Sequence, residues 1–149
     1  MLASSLSHLA LDGKIAVVTG STQGLGEAIA HLFADRGCKG IVITGRNEKN
    51  GARVKADLEK KGCKTVFVKA DLASMGDTRK IIAAADTEFA RVDTLVNAAG
   101  ITDRGTIWDT KPELFDAMIA VNLRAPYFLI QDALHVMKRE KAKGTIVNI

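Results

Sequence analysis

A glycine-rich turn near the start of the chain has the residue types that bind a pyrophosphate. It occupies residues 19–26, Thr-Gly-Ser-Thr-Gln-Gly-Leu-Gly, directly after an apolar run at residues 14–19. Backbone N–H groups in such a turn point outward, and the amino end of the following helix favours negative charge. Gly20 permits the tight turn, Gly24 lets the backbone approach a phosphate, and Gly26 lets helix and strand pack closely. We predict a pyrophosphate site here, against the alternative of a turn with a purely structural role.

Other chemistries fit the sequence poorly. The glycine spacing is G-x-x-x-G-x-G, which differs from the G-x-G-x-x-G of many dehydrogenases. No Lys-Ser/Thr follows the glycines, as a loop that binds a nucleoside triphosphate would need. Neither the cysteines nor the histidines have the spacing of metal ligands or of a catalytic triad, so we predict no metal site. These residues are Cys38, Cys63, His8, His31 and His135.

The elements that must position the turn alternate between strands and helices. Apolar runs predict strands at residues 14–19, 41–44, 65–68, 93–97 and 145–149. Helices are predicted between them: residues 25–33 ended by Gly37, residues 47–61, a helix capped by Ser74 and Asp77, and a long helix from Thr110 to about residue 141. Buried strands separated by helices predict an α/β fold, a doubly wound, Rossmann-like parallel sheet.

Length and composition fit one globular domain over residues 1–149, with 47% hydrophobic and 26% charged residues. No apolar stretch is long enough to span a bilayer, and residues 1–6 do not read as a secretion signal. The net charge is +4, and its one cluster, at residues 138–143, favours a helix end over a nucleic-acid patch. With no disulfide framework, a cytoplasmic location is expected.

Four motifs together resemble the short-chain dehydrogenase/reductase family. Besides the glycine turn, they are Asp71-Leu72 after the third strand, Asn97-Ala98-Ala99-Gly100 after the fourth, and Val121-Asn122 in the long helix. The similarity extends over residues 11–149. An unrelated response-regulator-like domain is disfavoured, because the glycine turn follows the first strand.

The resemblance implies a dinucleotide site. Ser21, Gln23 and Leu25 would line the pyrophosphate beside the glycines. Asp71 would accept a hydrogen bond from the adenine amino group, with Leu72 packed on the ring, although Asp71 in a turn-capping role is the alternative. The adenine ribose and the centre of the cofactor would be flanked by Asn97, Ala98 and Gly100.

Cofactor choice in this family depends on the end of the second strand. A carboxylate there accepts hydrogen bonds from the ribose 2′-OH of NAD, whereas this chain has Gly45 followed by Arg46. A guanidinium pairs well with a phosphate. NADP is therefore predicted over NAD, with Ser21 and Thr22 adding hydroxyl bonds to the 2′-phosphate. The alternative for Arg46 is a solvated surface charge.

The family reaction is hydride transfer between NADP(H) and a carbonyl or secondary alcohol, and it uses an Asn, a Ser and a Tyr-x-x-x-Lys. Asn122 matches the first, which anchors a water in the proton relay. The single tyrosine, Tyr127, is followed four residues later by Gln131, so it does not match the motif. We therefore expect the N-terminal, cofactor-binding portion of an oxidoreductase, incomplete just after strand five and inactive alone.

Two further expectations concern assembly. A strand that ends the chain leaves an unpaired sheet edge, which a solitary protein should avoid. The alternative to an enzyme portion is thus a catalytically silent NADP-binding module or a subunit that needs a partner. The resemblance also implies a homo-oligomer formed through the long helix around Asn122.

Trp108 follows the fourth predicted strand. It either borders a substrate cleft or, as we favour, has a plain packing role.

Overall fold

The computed structural model describes residues 10–149, so the expectations on residues 1–6 and His8 lie outside the described residues. Five parallel strands form one sheet in the order β3-β2-β1-β4-β5. They are β1 (Ile15–Val18), β2 (Gly40–Gly45), β3 (Lys64–Lys69), β4 (Thr94–Asn97) and β5 (Thr145–Asn148). The strand order reverses direction at β1, which confirms the doubly wound α/β fold.

Helices cover both faces of the sheet. They are α1 (Gly24–Asp35), α2 (Glu48–Lys60), α3 (Met75–Phe89), α4 (Pro112–Ile119) and α5 (Ala125–Arg139). One buried cluster joins α1 and α2 to the sheet, and a second joins α3 and α5 to its other face. None of the helices within residues 10–149 is long and apolar enough to cross a membrane. The basic cluster at residues 138–143 lies at the carboxyl end of α5, as predicted.

The inner face of α1 differs from the hydrophobic spacing in the sequence. That spacing selects Leu25 and Leu32, yet both are exposed. The buried residues of α1 are Gly26, Ala30 and Ala34, which recur every four residues. Small side chains on this face let the helix axis approach the sheet closely, so the larger side chains are displaced to its flanks and to solvent.

The long helix predicted from residue 110 to about residue 141 is interrupted. A π-helical turn, Ala120–Arg124, separates α4 from α5. Pro126 lies two residues after this turn. Because proline has no N–H, it removes one α-helical hydrogen bond and crowds the turn before it. One wide turn accommodates both effects, and such turns frequently occur at functional sites. Asn122 lies in the middle of it.

The predicted caps are partly confirmed. The Ser74 hydroxyl accepts from the Asp77 N–H at 3.3 Å and begins α3. Asp77 does not close a capping box, because its carboxylate accepts from the Asp71 N–H instead. Thr110 does not cap α4, since its hydroxyl donates to the Thr106 carbonyl. The expected packing of Trp108 is wrong: its side chain is 92% exposed.

A buried carboxylate joins the amino ends of β1 and β4. Asp93 accepts from the Ile15 N–H at 2.9 Å and from the Arg91 guanidinium at 2.7–3.0 Å. Burial raises the pKa of the Asp93 carboxyl, but hydrogen bonds from Arg91 and Ile15, with the charges of Arg91 and Lys14, outweigh burial and hold the pKa below its usual value.

We expect Asp93→Asn to lower the free energy of unfolding by about 1.5–3 kcal/mol at pH 7, the range for hydrogen bonds to a charged group. Because the folded pKa is depressed, the carboxylate stabilises the fold fully above its unfolded pKa, about 3.9. That stabilisation disappears as the pH falls through the lower, folded value.

Urea unfolding at pH 7, 5 and 3.5 provides the measurement. The difference in free energy of unfolding between the parent and Asp93→Asn should be the same at pH 7 and pH 5. It should become smaller only below about pH 4. The half-buried Asp57 serves as control, because its ion pairs with Arg53 and Lys60 lie at the surface, and its Asn variant should unfold close to the parent. A gap that closed between pH 7 and 5 would contradict the assignment.

Candidate functional site

A cleft of about 570 Å³ lies at the carboxyl ends of β1, β2 and β4, where the strand order reverses. Ligands of doubly wound sheets bind at such a switch point. Most of the residues predicted from the sequence line this cleft. They are Gly20, Thr22, Gln23, Gly24, Leu25, Gly26, Arg46, Asp71, Leu72, Ala98 and Gly100.

The amino end of α1 faces this cleft and has no side chain bonded to its first-turn N–H groups. Gln23 occupies the N-cap position in an extended conformation, and its side chain makes no capping hydrogen bond. The helices α2 and α3, by contrast, are capped by Asn47 and Ser74. The uncapped donors of α1 and the positive end of its dipole together suit an anionic ligand.

The turn before α1 has space only for glycine at two positions. A Cβ on Gly20 would lie 2.8 Å from the Ala99 Cα, and the φ of Gly20 is 63°, a conformation that side chains disfavour. A Cβ on Gly26 would lie 2.8 Å from the Gly20 carbonyl carbon. At both positions the missing side chain makes room for neighbouring backbone. A Cβ on Gly24, by contrast, would meet nothing within 4 Å, and its φ is 58°. The backbone is therefore open to the cleft at Gly24, and a nucleotide diphosphate fits the site.

Two buried hydroxyls hold this turn against its neighbours. The Thr19 hydroxyl accepts from the N–H groups of Ala98 and Ala99, both at 3.1 Å. The Ser21 hydroxyl donates to the Val18 carbonyl at 2.6 Å and accepts from the Thr44 N–H at 3.0 Å.

Ser21 therefore lies beneath the turn, and its side chain is not on the wall of the cleft. The resemblance implies that Ser21 lines the pyrophosphate, and its hydroxyl is also expected at the 2′-phosphate, whereas in the structure this hydroxyl joins the turn to β2. Of the two residues named for the 2′-phosphate, only Thr22 lines the cleft.

The charges around the turn are balanced. Glu27, in the first turn of α1, accepts two hydrogen bonds of 2.8 Å from the Arg53 guanidinium. These bonds are the main reason that the pKa of Glu27 is lowered. Its negative charge, which would oppose a phosphate, is thus matched by Arg53. Arg46, at the end of β2, forms no ion pair with any residue from 10 to 149 and borders the cleft.

At the far end of the cleft, Asp71 and Leu72 follow β3. The Asp71 Oδ1 accepts from the Ala73 N–H at 3.0 Å, so this carboxylate does cap its own turn. Its second oxygen has no hydrogen-bond partner among the described residues and remains available to a ligand on the cleft side. The capping and binding roles of Asp71 are therefore compatible.

Asn97 and Asn122 line an adjoining cleft of about 480 Å³. The Asn122 amide forms two hydrogen bonds with the Ile101 backbone, accepting at 2.9 Å and donating at 2.7 Å. The Asn97 Nδ2 donates to the Asn148 Oδ1 at 2.8 Å, while its Oδ1 is buried without a partner in the described part of the chain. Asn97 thus lies beside the cleft that holds the glycine turn rather than inside it.

Sequence reasoning missed four other lining residues, namely Thr44, Asn47, Ala70 and Ile101, and nothing in their type marks them. Ala99 and Val121 also line the cleft; both belong to motifs named from the sequence, although neither was assigned to the site. Residues 10–149 contain no cluster of three or more His, Cys, Asp or Glu that could hold a metal. Cys38 and Cys63 are both free and buried.

Comparisons with known proteins agree with this geometry. The family model described as short chain dehydrogenase matches residues 14–149. An uncharacterised oxidoreductase of Thermotoga maritima is 35% identical over 138 residues, covering 93% of this chain and 53% of the relative. The chain therefore spans about half the length of the curated relatives it matches.

Two solved structures are similar over 93% of this chain. A metagenomic short-chain oxidoreductase in complex with NADP has a TM-score of 0.85 and 33% identity, with 62% of its chain covered. The L-sorbose reductase of Gluconobacter frateurii, complexed with NADPH and L-sorbose, has a TM-score of 0.88 and 28% identity, with 52% covered.

We expect Thr19→Val to lower the free energy of unfolding by about 1–3 kcal/mol, because the two N–H groups after β4 lose their acceptor. The matched control is Thr19→Ser, which keeps the hydroxyl and removes only a methyl group. Denaturant unfolding compares the two. If the serine variant proved less stable than the valine variant, packing rather than the hydrogen bonds would hold the turn.

Proposed function

The chain belongs to the short-chain dehydrogenase family, and from that premise we propose that its cleft binds NADP(H) in preference to NAD(H). The observation that carries this proposal is the uncapped amino end of α1, reached by a turn whose backbone is open to the cleft at Gly24, with Arg46 beside it. The α1 N–H groups, with Gln23 and Leu25, would hold the pyrophosphate. Asp71 and Leu72 would receive the adenine.

The preference for NADP follows from the end of β2. Gly45 offers no carboxylate to bind a 2′-OH or to repel a 2′-phosphate. The guanidinium of Arg46 has no ion-pair partner among the described residues, and the Thr22 hydroxyl lies on the same side of the cleft. Similar structures contain NADP or NADPH, which supports the same choice.

The reaction that we propose for the whole protein is hydride transfer between NADP(H) and a carbonyl or secondary alcohol. The cofactor supplies the hydride in such a reaction, and the protein supplies orientation and electrostatics. Oxidoreductase relatives favour this reaction over a catalytically silent module. The Ala98 and Gly100 backbone would border the centre of the cofactor, and Asn97 would support that segment through its bond to Asn148.

The role proposed for Asn122 changes with its geometry. Its side chain is held by two hydrogen bonds to the Ile101 backbone, which gives the side-chain amide a structural role. Its carbonyl has no α-helical donor, because Pro126 is four residues on and lacks an N–H. We assign the water to this carbonyl.

The homo-oligomer and the cytoplasmic location are also proposals. Large apolar side chains are exposed along α4, the π turn and α5, which supports contact with a second copy. They are Phe115, Ile119, Leu123 and Tyr127. The two buried free thiols suit a reducing compartment.

We expect Arg46→Ala to weaken NADP binding by about 1.5–3 kcal/mol, since a charged hydrogen-bonding group is lost, and to leave NAD binding nearly unchanged. Calorimetric titration with both cofactors gives the two values. Lys49→Ala is the matched control, because Lys49 has the same charge, is exposed and does not border the cleft. Equal losses for NADP and NAD would instead indicate a folding defect.

The 149-residue chain should bind through the adenylate half of the cofactor alone. We expect 2′,5′-ADP to bind nearly as well as NADP. It keeps the adenine proposed for Asp71, the 2′-phosphate proposed for Arg46, and one of the two phosphates proposed for the amino end of α1. Turnover should be undetectable, since the chain has no Tyr-x-x-x-Lys and a positioned proton-transfer group contributes about 10²–10⁴ in rate.

Calorimetry with 2′,5′-ADP and a spectrophotometric assay with NADPH and a panel of ketones, free of host reductases, test both statements. No binding of 2′,5′-ADP to folded chain would overturn the cofactor site. Turnover that vanishes with Tyr127→Phe would show that the catalytic centre lies elsewhere.

A further inference from the structure

We propose that Thr22 and Gly45 act as a coupled pair that keeps the cofactor-selecting position free of a side chain. The Thr22 side chain occupies the space that any side chain at position 45 would need. A carboxylate can therefore enter position 45 only if residue 22 becomes smaller. This inference rests on the proposed NADP site and identifies Thr22 as a specificity-determining residue within it.

The conflict between the two positions is steric. A Cβ built on Gly45 would contact the Thr22 Oγ1, and would lie 2.7 Å from its Cγ2 and 3.1 Å from its Cβ. Rotation about χ1 of Thr22 would move the hydroxyl and the methyl, but not the Cβ. Thr22 is only 5% exposed, so its side chain has little room to turn outward.

The backbone on both sides of this contact is fixed. Ser21 precedes Thr22 and Thr44 precedes Gly45, and these two neighbours are joined by two hydrogen bonds of 3.0 Å. One runs from the Ser21 N–H to the Thr44 carbonyl, and the other from the Thr44 N–H to the Ser21 hydroxyl. The turn and the end of β2 therefore cannot separate to admit a side chain without breaking buried hydrogen bonds.

Backbone conformation does not explain the glycine. Gly45 is the last residue of β2 and is absent from the residues with positive φ, so an L-amino acid could adopt its backbone geometry. What excludes a side chain is the neighbouring Thr22. Positions 22 and 45 should consequently behave as one unit, and the guanidinium of Arg46 is left to recognise the ribose substituent.

The steric half of the proposal is tested without any cofactor. Four chains are compared by thermal unfolding: the parent, Gly45→Ala, Thr22→Gly, and the double variant. We expect Gly45→Ala to lower the melting temperature by several degrees in the parent, and to have no such effect in the Thr22→Gly background. Equal effects in both backgrounds would overturn the coupling.

The specificity half uses Gly45→Asp with Arg46 retained. In the Thr22→Gly background we expect the ratio of NAD to NADP affinity, measured by calorimetry, to rise by about tenfold or more over the parent. With Thr22 present, Gly45→Asp should unfold at a lower temperature and bind both cofactors poorly. A stable Gly45→Asp single variant that prefers NAD as strongly as the double variant would refute the proposal.

The two proposals fail in different ways. If the parent chain bound neither NADP nor 2′,5′-ADP, the proposed function would be wrong. The thermal unfolding of the four chains with Gly45→Ala and Thr22→Gly would still report whether Thr22 blocks position 45. If the parent bound NADP and the alanine effects were simply additive, the NADP site would stand and the coupled pair would be wrong.

Discussion

The site depends on one constraint, which is that the turn between β1 and α1 must expose its backbone on one side and be fastened on the other. Backbone N–H groups bind an anion only if no side chain covers them, and a glycine-rich turn has few side chains of its own to pack. The hydroxyls of Thr19 and Ser21 resolve this conflict from below. The Ser21 hydroxyl joins the turn to β2, and the Thr19 hydroxyl joins it to the segment after β4. These bonds hold the glycine backbone in place while it stays accessible from the cleft.

The same fastening determines what surrounds the cleft. Because the turn is tied to Thr44, the first residues after β2 lie within reach of the turn, and Gly45 and Arg46 border the cleft. Because it is tied to Ala98 and Ala99, the segment after β4 forms the opposite wall. Asn122, in the π turn, then holds Ile101, two residues after Ala99. A chain of side-chain-to-backbone bonds thus connects β2, the turn, β4 and the interrupted helix.

Much of this arrangement could be predicted from sequence, because it follows from patterns that a single chain displays. Alternating apolar runs and helical spacing predict the doubly wound sheet, and the glycine spacing predicts the turn that borders the cleft. What failed depends on contacts between distant residues. Ser21 has the same type whether it faces a ligand or Thr44, and hydrophobic spacing alone does not show that α1 approaches the sheet through Gly26, Ala30 and Ala34. The interruption of the long helix lay within reach, since Pro126 marks it.

The strand order has a consequence for how the chain folds. Val17 of β1 pairs with Val42 of β2, 25 residues away, and with Leu95 of β4, 78 residues away. Closing the longer loop costs about 1 kcal/mol more in chain entropy than closing the shorter one. The pairing of β1 with β4 therefore carries the larger loop-closure cost, and the cleft lies at the carboxyl end of this pair of strands. A ligand that contacts both the glycine turn and the segment after β4 would stabilise the strand pair with the highest loop-closure cost in the sheet.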